Sequence, residues 1–325
     1  MKSYPSYILL FLVRFFILPV SAQDFHFSGF MHNQAYYNPA YAAVPEMNEF
    51  SMTYRNQWPG IPANFVTYGA TFIQPFSVIK SGIGVVFLRD VEAGGVISKS
   101  SASLMYGYTF RVSRALKMAA GIGASYVYRQ FDPSTLVFAS DLLNALGTPY
   151  PPVNISAYTR GYPDFSIGLM GEYRKDLTMG ISAAHLTRPA ESFSGEPASR
   201  LPVKYGLFAS YKFRTGGKYN RNGIDLTPSL LYVHQGRTNE LVWGTAALIK
   251  PLTAGVWLRH NLSLNFSSMI FSLGILQKKY TFLYNYDVNL TSVNFLSTKT
   301  GAHEVTFLFR FEYKKKQSKV VKCPS

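Results

Sequence analysis

Strict alternation of apolar and polar positions is the strongest pattern along this chain. Between Val203 and Phe213, Val203, Tyr205, Leu207, Ala209, Tyr211 and Phe213 fall on one side of an extended strand. Lys204, Gly206, Ser210 and Lys212 fall on the other, where Phe208 is the misfit. The stretch from Ala302 to Tyr313 repeats the pattern: Val305, Phe307, Phe309, Phe311 and Tyr313 oppose Glu304, Thr306, Arg310 and Glu312, with Leu308 out of place. Tyr280, Phe282, Tyr284 and Tyr286 make a third stripe opposite Thr281, Asn285 and Asp287, and Leu104, Tyr106, Tyr108 and Phe110 make a fourth. A side-chain period of two belongs to a β-strand with one apolar face. Soluble β-sandwiches alternate too, but their strands usually run to about five or six residues. The best of these run to about ten, the length a tilted strand needs to cross a bilayer.

Read this way, the chain predicts about fourteen strands. They lie near 48–58, 63–76, 82–91, 97–110, 116–130, 163–173, 177–187, 202–214, 223–234, 240–250, 253–261, 266–276, 280–288 and 301–313. Bacterial outer-membrane barrels have an even strand number, short periplasmic turns and longer external loops. The connections obey that parity. The long ones (131–162, 188–201, 289–300) are all external if both termini are periplasmic, and the tight ones (Arg174–Asp176, Pro251–Leu252, Gln277–Lys279) fall on the opposite side. The connection from Thr215 to Asn222 is longer than its periplasmic neighbours and is the exception. The 131–162 connection carries several Pro and Gly and a possible helical turn at Leu142–Leu146, and its length suits either a functional loop or ordinary loop variation.

Composition narrows the choice to a membrane barrel. Of 325 residues, 47% are hydrophobic and only 15% charged, against roughly 25% charged in an average soluble domain. Aromatics reach 16%, which excludes disorder. Beyond the N-terminus no apolar run approaches the ~18 residues of a spanning helix. The fold expected is an all-β transmembrane antiparallel barrel. Lys2, the apolar stretches around Arg14 and the small residues Ser21-Ala22 read as an export signal over 1–22, cleaved before Gln23. Its loss removes Lys2 and Arg14 and lowers the net charge from +15 to +13. Residues 23–47 then form a periplasmic or plug segment, 48–313 the barrel, and 314–325 a basic periplasmic tail. That tail is either a solvated end or a handle for an acidic periplasmic partner, and Cys323 within it is the only cysteine.

Catalytic signatures are missing. There is no Gly-Lys-Ser/Thr phosphate loop, no dinucleotide glycine fingerprint and no Gly-x-Ser-x-Gly elbow. His303-Glu304 opens like a zinc-protease motif, but Phe307 occupies the position of the second His. The six His lack ligand spacing. Gly121 and Gly123 sit inside a strand, where small residues make room in a crowded lumen. Lys and Arg gather at strand ends and turns, which suits membrane head groups rather than nucleic acid. The reading is non-enzymatic, with no cofactor, no metal and no nucleic acid.

Two motifs near the start, Tyr37-Asn38-Pro39-Ala40-Tyr41 and Arg55-Asn56-Gln57-Trp58, and two near the end, Tyr284-Asn-Tyr-Asp287 and Gly301-Ala-His303-Glu304, resemble the PorP/SprF family of Bacteroidetes outer-membrane proteins. Ala43-Val44 stands where the family more often has Gly after Ala42, and the chain stops at Ser325 where an aromatic is common. The resemblance implies an outer-membrane component of type IX secretion, tied to protein secretion and gliding. It implies partners as well: a dedicated secreted or adhesin client bound through its C-terminal domain, other type IX components in the outer membrane and periplasm, and outer-membrane lipid. A client could pair along a lateral strand edge or dock on the external loops. The alternative is a pore or transporter for small solutes. The candidate residues are Asn38, Pro39, Tyr41, Arg55, Gln57, Trp58, His303 and Glu304, each with a structural role as the competing reading. For Asn38-Pro39 that role is a turn before the first strand, with Asn38 held extended. For Arg55 and Trp58 it is lumen pairing and interfacial anchoring.

Overall fold

The computed structural model describes residues 24–61, 64–149, 151, 153, 155–191, 200–215, 223–290 and 301–312. The expected export signal and basic tail, with Cys323, lie outside these residues, as does most of the 215–222 connection. The strands are β1 (Asn48–Gln57), β2 (Phe65–Phe76), β3 (Ser81–Glu92), β4 (Ile97–Arg111), β5 (Leu116–Phe131), β6 (Tyr158–Tyr173), β7 (Leu177–Ala184), β8 (Lys204–Tyr211) and β9 (Phe213–Arg214), followed by β10 (Asp225–Gln235), β11 (Thr238–Ile249), β12 (Leu252–His260), β13 (Phe266–Leu276), β14 (Tyr280–Asn289) and β15 (Ala302–Phe311). β8 and β9 are one strand interrupted at Lys212, and both pair with β10. Fourteen spans result among the described residues.

Each strand pairs antiparallel with its sequence neighbours. β1 also pairs with β15 over ten residues, from Asn48 opposite Phe311 to Gln57 opposite Ala302. The sheet therefore closes into a barrel. Closure removes one option raised by the sequence, because no open seam remains between the first and last strands for a client strand to join.

Outside and inside follow the alternation. Met52, Tyr68, Phe87, Leu104, Ile122, Leu273 and Phe307 are exposed on the outer wall, whereas Ile73, Val86, Met105, Val242, Ile270 and Leu283 are buried within. The two misfits of the sequence pattern, Phe208 and Leu308, point inward and are buried. They are not errors of pattern, because this lumen is filled by protein rather than water. Segment 24–47 runs through it. Phe30 sits edge-on to Phe208 and Trp257, both at 6.2 Å between ring centroids, and packs with Leu231, Val242 and Ile270. A helical turn (Gln34–Tyr37) leads to a 3-10 helix (Pro39–Ala43), whose Ala40, Ala42 and Ala43 are buried against the wall. The segment starts at the end bearing the long connections, where Asp24 meets Lys99 and Lys204, and descends to the opposite end, where β1 begins. Close approach is possible because the wall offers glycine there: a Cβ on Gly121 would collide with the backbone of Ala40, and one on Gly82 with that of Ala42.

Strand boundaries match the expected ones closely, with two informative differences. β6 begins at Tyr158 rather than near 163, and its first residues pair with Val127–Phe131. Pro163 is tolerated inside it because β7 pairs with β6 only from Ile167 onward. β7 ends at Ala184 rather than 187, since His185 takes a left-handed backbone (φ 59°) and turns inward. Within the long connection after β5, the expected helical turn is a helix over Ala139–Ala145, with the backbone N–H of Phe138 donating to Asp141 at 2.8 Å.

Valine in place of Gly121 is expected to push the 3-10 helix off the wall, at an overpacking cost of about 1–3 kcal/mol. The barrel should still form, as judged by its heat-modifiable migration, while planar-bilayer recordings should show a larger conductance than that of the unaltered protein. Unchanged conductance would contradict the close packing described here.

Candidate functional site

The motifs from the two ends of the chain meet at the closing seam. In the β1–β15 register Arg55 lies opposite Glu304, Asn56 opposite His303 and Gln57 opposite Ala302. β14 adds Asn285 opposite Glu304. Arg55, Asp287 and Glu304 all face inward and are almost completely buried. Arg55 Nη2 donates to Asp287 Oδ2 at 3.0 Å, and its Nη1 lies 3.5 Å from Glu304 Oε2. Arg259, from β12, donates to the same Asp287 oxygen at 2.8 Å. Two guanidinium groups therefore share one carboxylate.

The lumen segment completes this cluster. The backbone N–H groups of Ser28 and Gly29 each donate to one oxygen of Glu304 at 2.7 Å, and Asn285 Nδ2 donates at 3.2 Å. The Ser28 hydroxyl accepts from Arg55 and donates to Asp287. Glu304 has no solvent exposure, and a carboxylate removed from water is tolerable only when such donors saturate it. Lower in the lumen, Asn33 accepts from Thr53 at 2.9 Å and Tyr41 donates to Glu49 at 3.0 Å. Glu49 in turn pairs with Arg310 at 2.7 Å.

A second charged cluster ties down the segment's beginning. Asp24 pairs with Lys99 (3.0 Å), Lys204 (3.3 Å) and His185 Nε2 (2.6 Å). His185 Nδ1 contacts Asp164 at 2.6 Å, and Lys99 also reaches Glu191 at 2.9 Å. Burial alone would raise the Asp24 carboxyl, but Lys99, Lys204 and His185 outweigh it and hold the group well below the usual carboxylate range. Burial works against a charged imidazole at His185, yet Asp24 and Asp164 on its two nitrogens push it up to about 9.

The candidate residues divide into those that lock the lumen and those that do not. Asn38 is extended (φ −147°) as its position before Pro39 requires, but it lies within the lumen and not in a simple turn. Its Oδ1 caps Ala40 N–H at 2.9 Å, and its Nδ2 donates to the carbonyls of Leu169 and Ile181, both at 3.0 Å. Pro39 opens the 3-10 helix. Tyr41, Arg55 and Glu304 belong to the locking contacts above. Gln57 accepts from Arg55 at 3.5 Å, at the margin of that cluster. Trp58 sits at the external end, its backbone N–H donating to Gly301 O at 2.8 Å and its ring edge-on to Phe65 at 5.2 Å. His303 is on the outer face, where Nδ1 meets the Tyr284 hydroxyl at 2.7 Å, so it is separated from its neighbour Glu304 by the sheet itself. Asp24, Ser28, Lys99, His185, Lys204 and Arg259 were not among the candidates named from sequence. For Lys99, Lys204 and Arg259 the only available signal was a polar residue at an inward position, and nothing in the sequence says which inward residues meet; Ser28 belongs to no strand, and alternation alone would turn His185 outward.

A family model described as "Type IX secretion system membrane protein PorP/SprF" matches residues 20–309. The chain belongs to this family. It is an outer-membrane β-barrel component of type IX secretion, with partners in that system. No curated protein matches the sequence significantly. Solved structures similar to this PorP/SprF barrel include the Pseudomonas putida toluene transporter TodX (11% identity, TM-score 0.49, covering 85% of this chain and 93% of that one) and the Acinetobacter baumannii outer membrane protein Omp33 (8%, 0.45, 82% and 98%). A Pseudomonas aeruginosa FadL homologue is also similar (11%, 0.43, 86% and 94%).

Arg55→Met in the PorP/SprF barrel leaves Asp287 and Glu304 short of a buried partner and is expected to cost about 3–5 kcal/mol. Urea unfolding in detergent micelles should show it, and Arg55→Met/Glu304→Gln should recover part of the loss. A loss below about 1 kcal/mol, the value of an exposed pair, would be inconsistent with a locking role. A pH dependence follows from His185. Its folded value near 9 exceeds the ordinary ~6.5, so its stabilisation is complete below about 6.5 and is lost as pH rises through about 9. Hydrogen-exchange protection at Phe25–Phe27, corrected for intrinsic rates, should fall between pH 8 and 10, and His185→Gln should flatten that profile.

Proposed function

We propose that this barrel is a non-enzymatic partner of one dedicated secreted or surface-anchored client, recognised through the client's C-terminal domain at the external face. The observation that carries the reading is the occupied lumen: segment 24–47 runs through it, held at the seam by the Ser28 and Gly29 backbone N–H groups on Glu304 and at the external end by the ion pairs of Asp24. A barrel whose interior is locked by its own chain works through its surfaces, so the client travels beside it and not through it. A cleaved signal over 1–22 and a periplasmic tail from 314 belong to the same reading, one end of the chain committed to filling the lumen and the other left for periplasmic components.

The long connection after β5 is the surface best suited to the client. Its helix Ala139–Ala145 carries exposed Leu142 (58% accessible) and is flanked by exposed Val137 (71%) and Leu146 (80%). Exposed apolar side chains grouped on a polar external loop mark an interaction surface. Pore activity, the competing reading, requires segment 24–47 to leave the lumen.

Detergent extraction of the tagged full-length protein from its native outer membrane tests the proposal. A large secreted protein should co-purify through its C-terminal domain, and Leu142→Asp/Leu146→Asp should abolish its recovery while leaving the barrel heat-modifiable. Recovery of the barrel alone, with stepwise conductance in planar bilayers, would move the pore reading to first place.

A further inference from the structure

The outer wall carries one arrangement that the lumen and the client surface leave unused. Near the external end, the register aligns outward-facing residues of five consecutive strands in one row. Tyr54 lies opposite Tyr68, Tyr68 opposite Arg89, Arg89 opposite Ser100, and Ser100 opposite Tyr128. Directly opposed side chains have Cβ atoms about 4.5–5.5 Å apart, so a tyrosine and a serine flank Arg89 on its two sides. Tyrosines at this height mark the membrane interface. Arg89 is exposed, and no salt bridge to it occurs among the described residues.

Immediately below, one step towards the membrane centre, the row is Met52, Ala70, Phe87, Ala102 and Tyr126. The small side chains of Ala70 and Ala102 on either side of Phe87 leave a groove of about 610 Å³. That volume and its apolar walls accommodate a hydrocarbon chain lying along the barrel. Arginine on a lipid-facing wall is unfavourable in hydrocarbon and close to neutral at the interface, where an anionic oxygen can meet it. Guanidinium is the group best shaped for phosphate, with paired N–H donors. A cation flanked by a tyrosine and a serine directly above an apolar groove therefore has the order of a lipid: head group outward, acyl chain inward.

We infer that this face is a binding site for a phosphorylated glycolipid of the outer leaflet. Arg89 holds the phosphate, Tyr68, Ser100 and Tyr128 bond its oxygens or the adjoining sugar, and an acyl chain fills the groove over Ala70 and Ala102. The glycolipid is favoured over a phospholipid because the row stands at the external end, and in an outer membrane the external leaflet is built of phosphorylated glycolipid. The site rests on the barrel fold alone and stands or falls independently of the client.

Native mass spectrometry of the full-length protein, purified in mild detergent from its own outer membrane, tests the assignment. The unaltered barrel should retain one phosphorylated glycolipid. Arg89→Gln should retain about tenfold less, the factor carried by one charge-assisted hydrogen bond. Arg89→Lys should keep most of the lipid, because the charge persists. Ala102→Phe, which fills the groove and leaves Arg89 in place, should also lose it. All three lie on the outer wall and should preserve heat-modifiable migration. Equal lipid retention by the unaltered protein, Arg89→Gln and Ala102→Phe would overturn the site. Retention of phospholipid in preference to glycolipid would overturn the ligand.

Discussion

Glu304 is a carboxylate without solvent exposure, in a barrel whose interior would ordinarily be polar and wet. It is stable there only because Arg55, Asn285 and two backbone amides of the lumen segment surround it. Those partners come from β1, from β14 and from the segment preceding β1, and Asp287 extends the cluster to Arg259 on β12. Barrel closure and lumen filling are thus one interaction. Without the segment Glu304 at the seam lacks two of its donors, and until the seam exists the Ser28 and Gly29 amides lack that acceptor. Ionic groups taken from water lose several kcal/mol each, so a partly assembled cluster is worse than none and the whole arrangement is strongly cooperative.

Much else follows from the filled lumen. Inward positions become a core, so aliphatic and aromatic residues such as Phe208, Leu231 and Ile270 appear where a water-filled barrel would carry polar ones. Glycine at 82 and 121 is set by the close passage of Ala40 and Ala42, not by strand geometry. The apolar contacts around Phe30 and the charged contacts around Asp24 act at different heights, so the segment is fixed along its length and not at a single point. His185 gives up strand geometry to reach Asp24, which is why β7 stops where it does.

An interior occupied by the chain's own segment moves attention to the two outer surfaces. The external connection after β5 presents apolar side chains to water, and the wall between β1 and β5 presents a cation and hydroxyls at the membrane interface above an apolar groove. The first lies beyond the barrel rim and the second on the opposite face of the wall from the buried charges, so the residues that maintain the barrel are distinct from those available to partners. For a type IX secretion component this separation has a physical consequence: external loops can change with a partner at little cost to the locked interior.

Period-two alternation over about ten residues, repeated fourteen times with long and short connections in alternation, was enough to determine the barrel, its strand number and nearly every boundary, because lipid demands an apolar outer face at every second position. The inward direction of Glu304 and Arg310 was legible for the same reason, since alternation alone assigns them to the face opposite the lipid. The motifs around Asn38, Arg55 and Glu304 could be seen, but not that Arg55 and Glu304 stand opposite each other nearly 250 residues apart, with the backbone of Ser28 and Gly29 between them. Alternation says which way a side chain points and nothing about what it meets across a lumen. That was decided only by closure of the sheet, which brings distant strands face to face around a segment whose own sequence has no strand pattern at all.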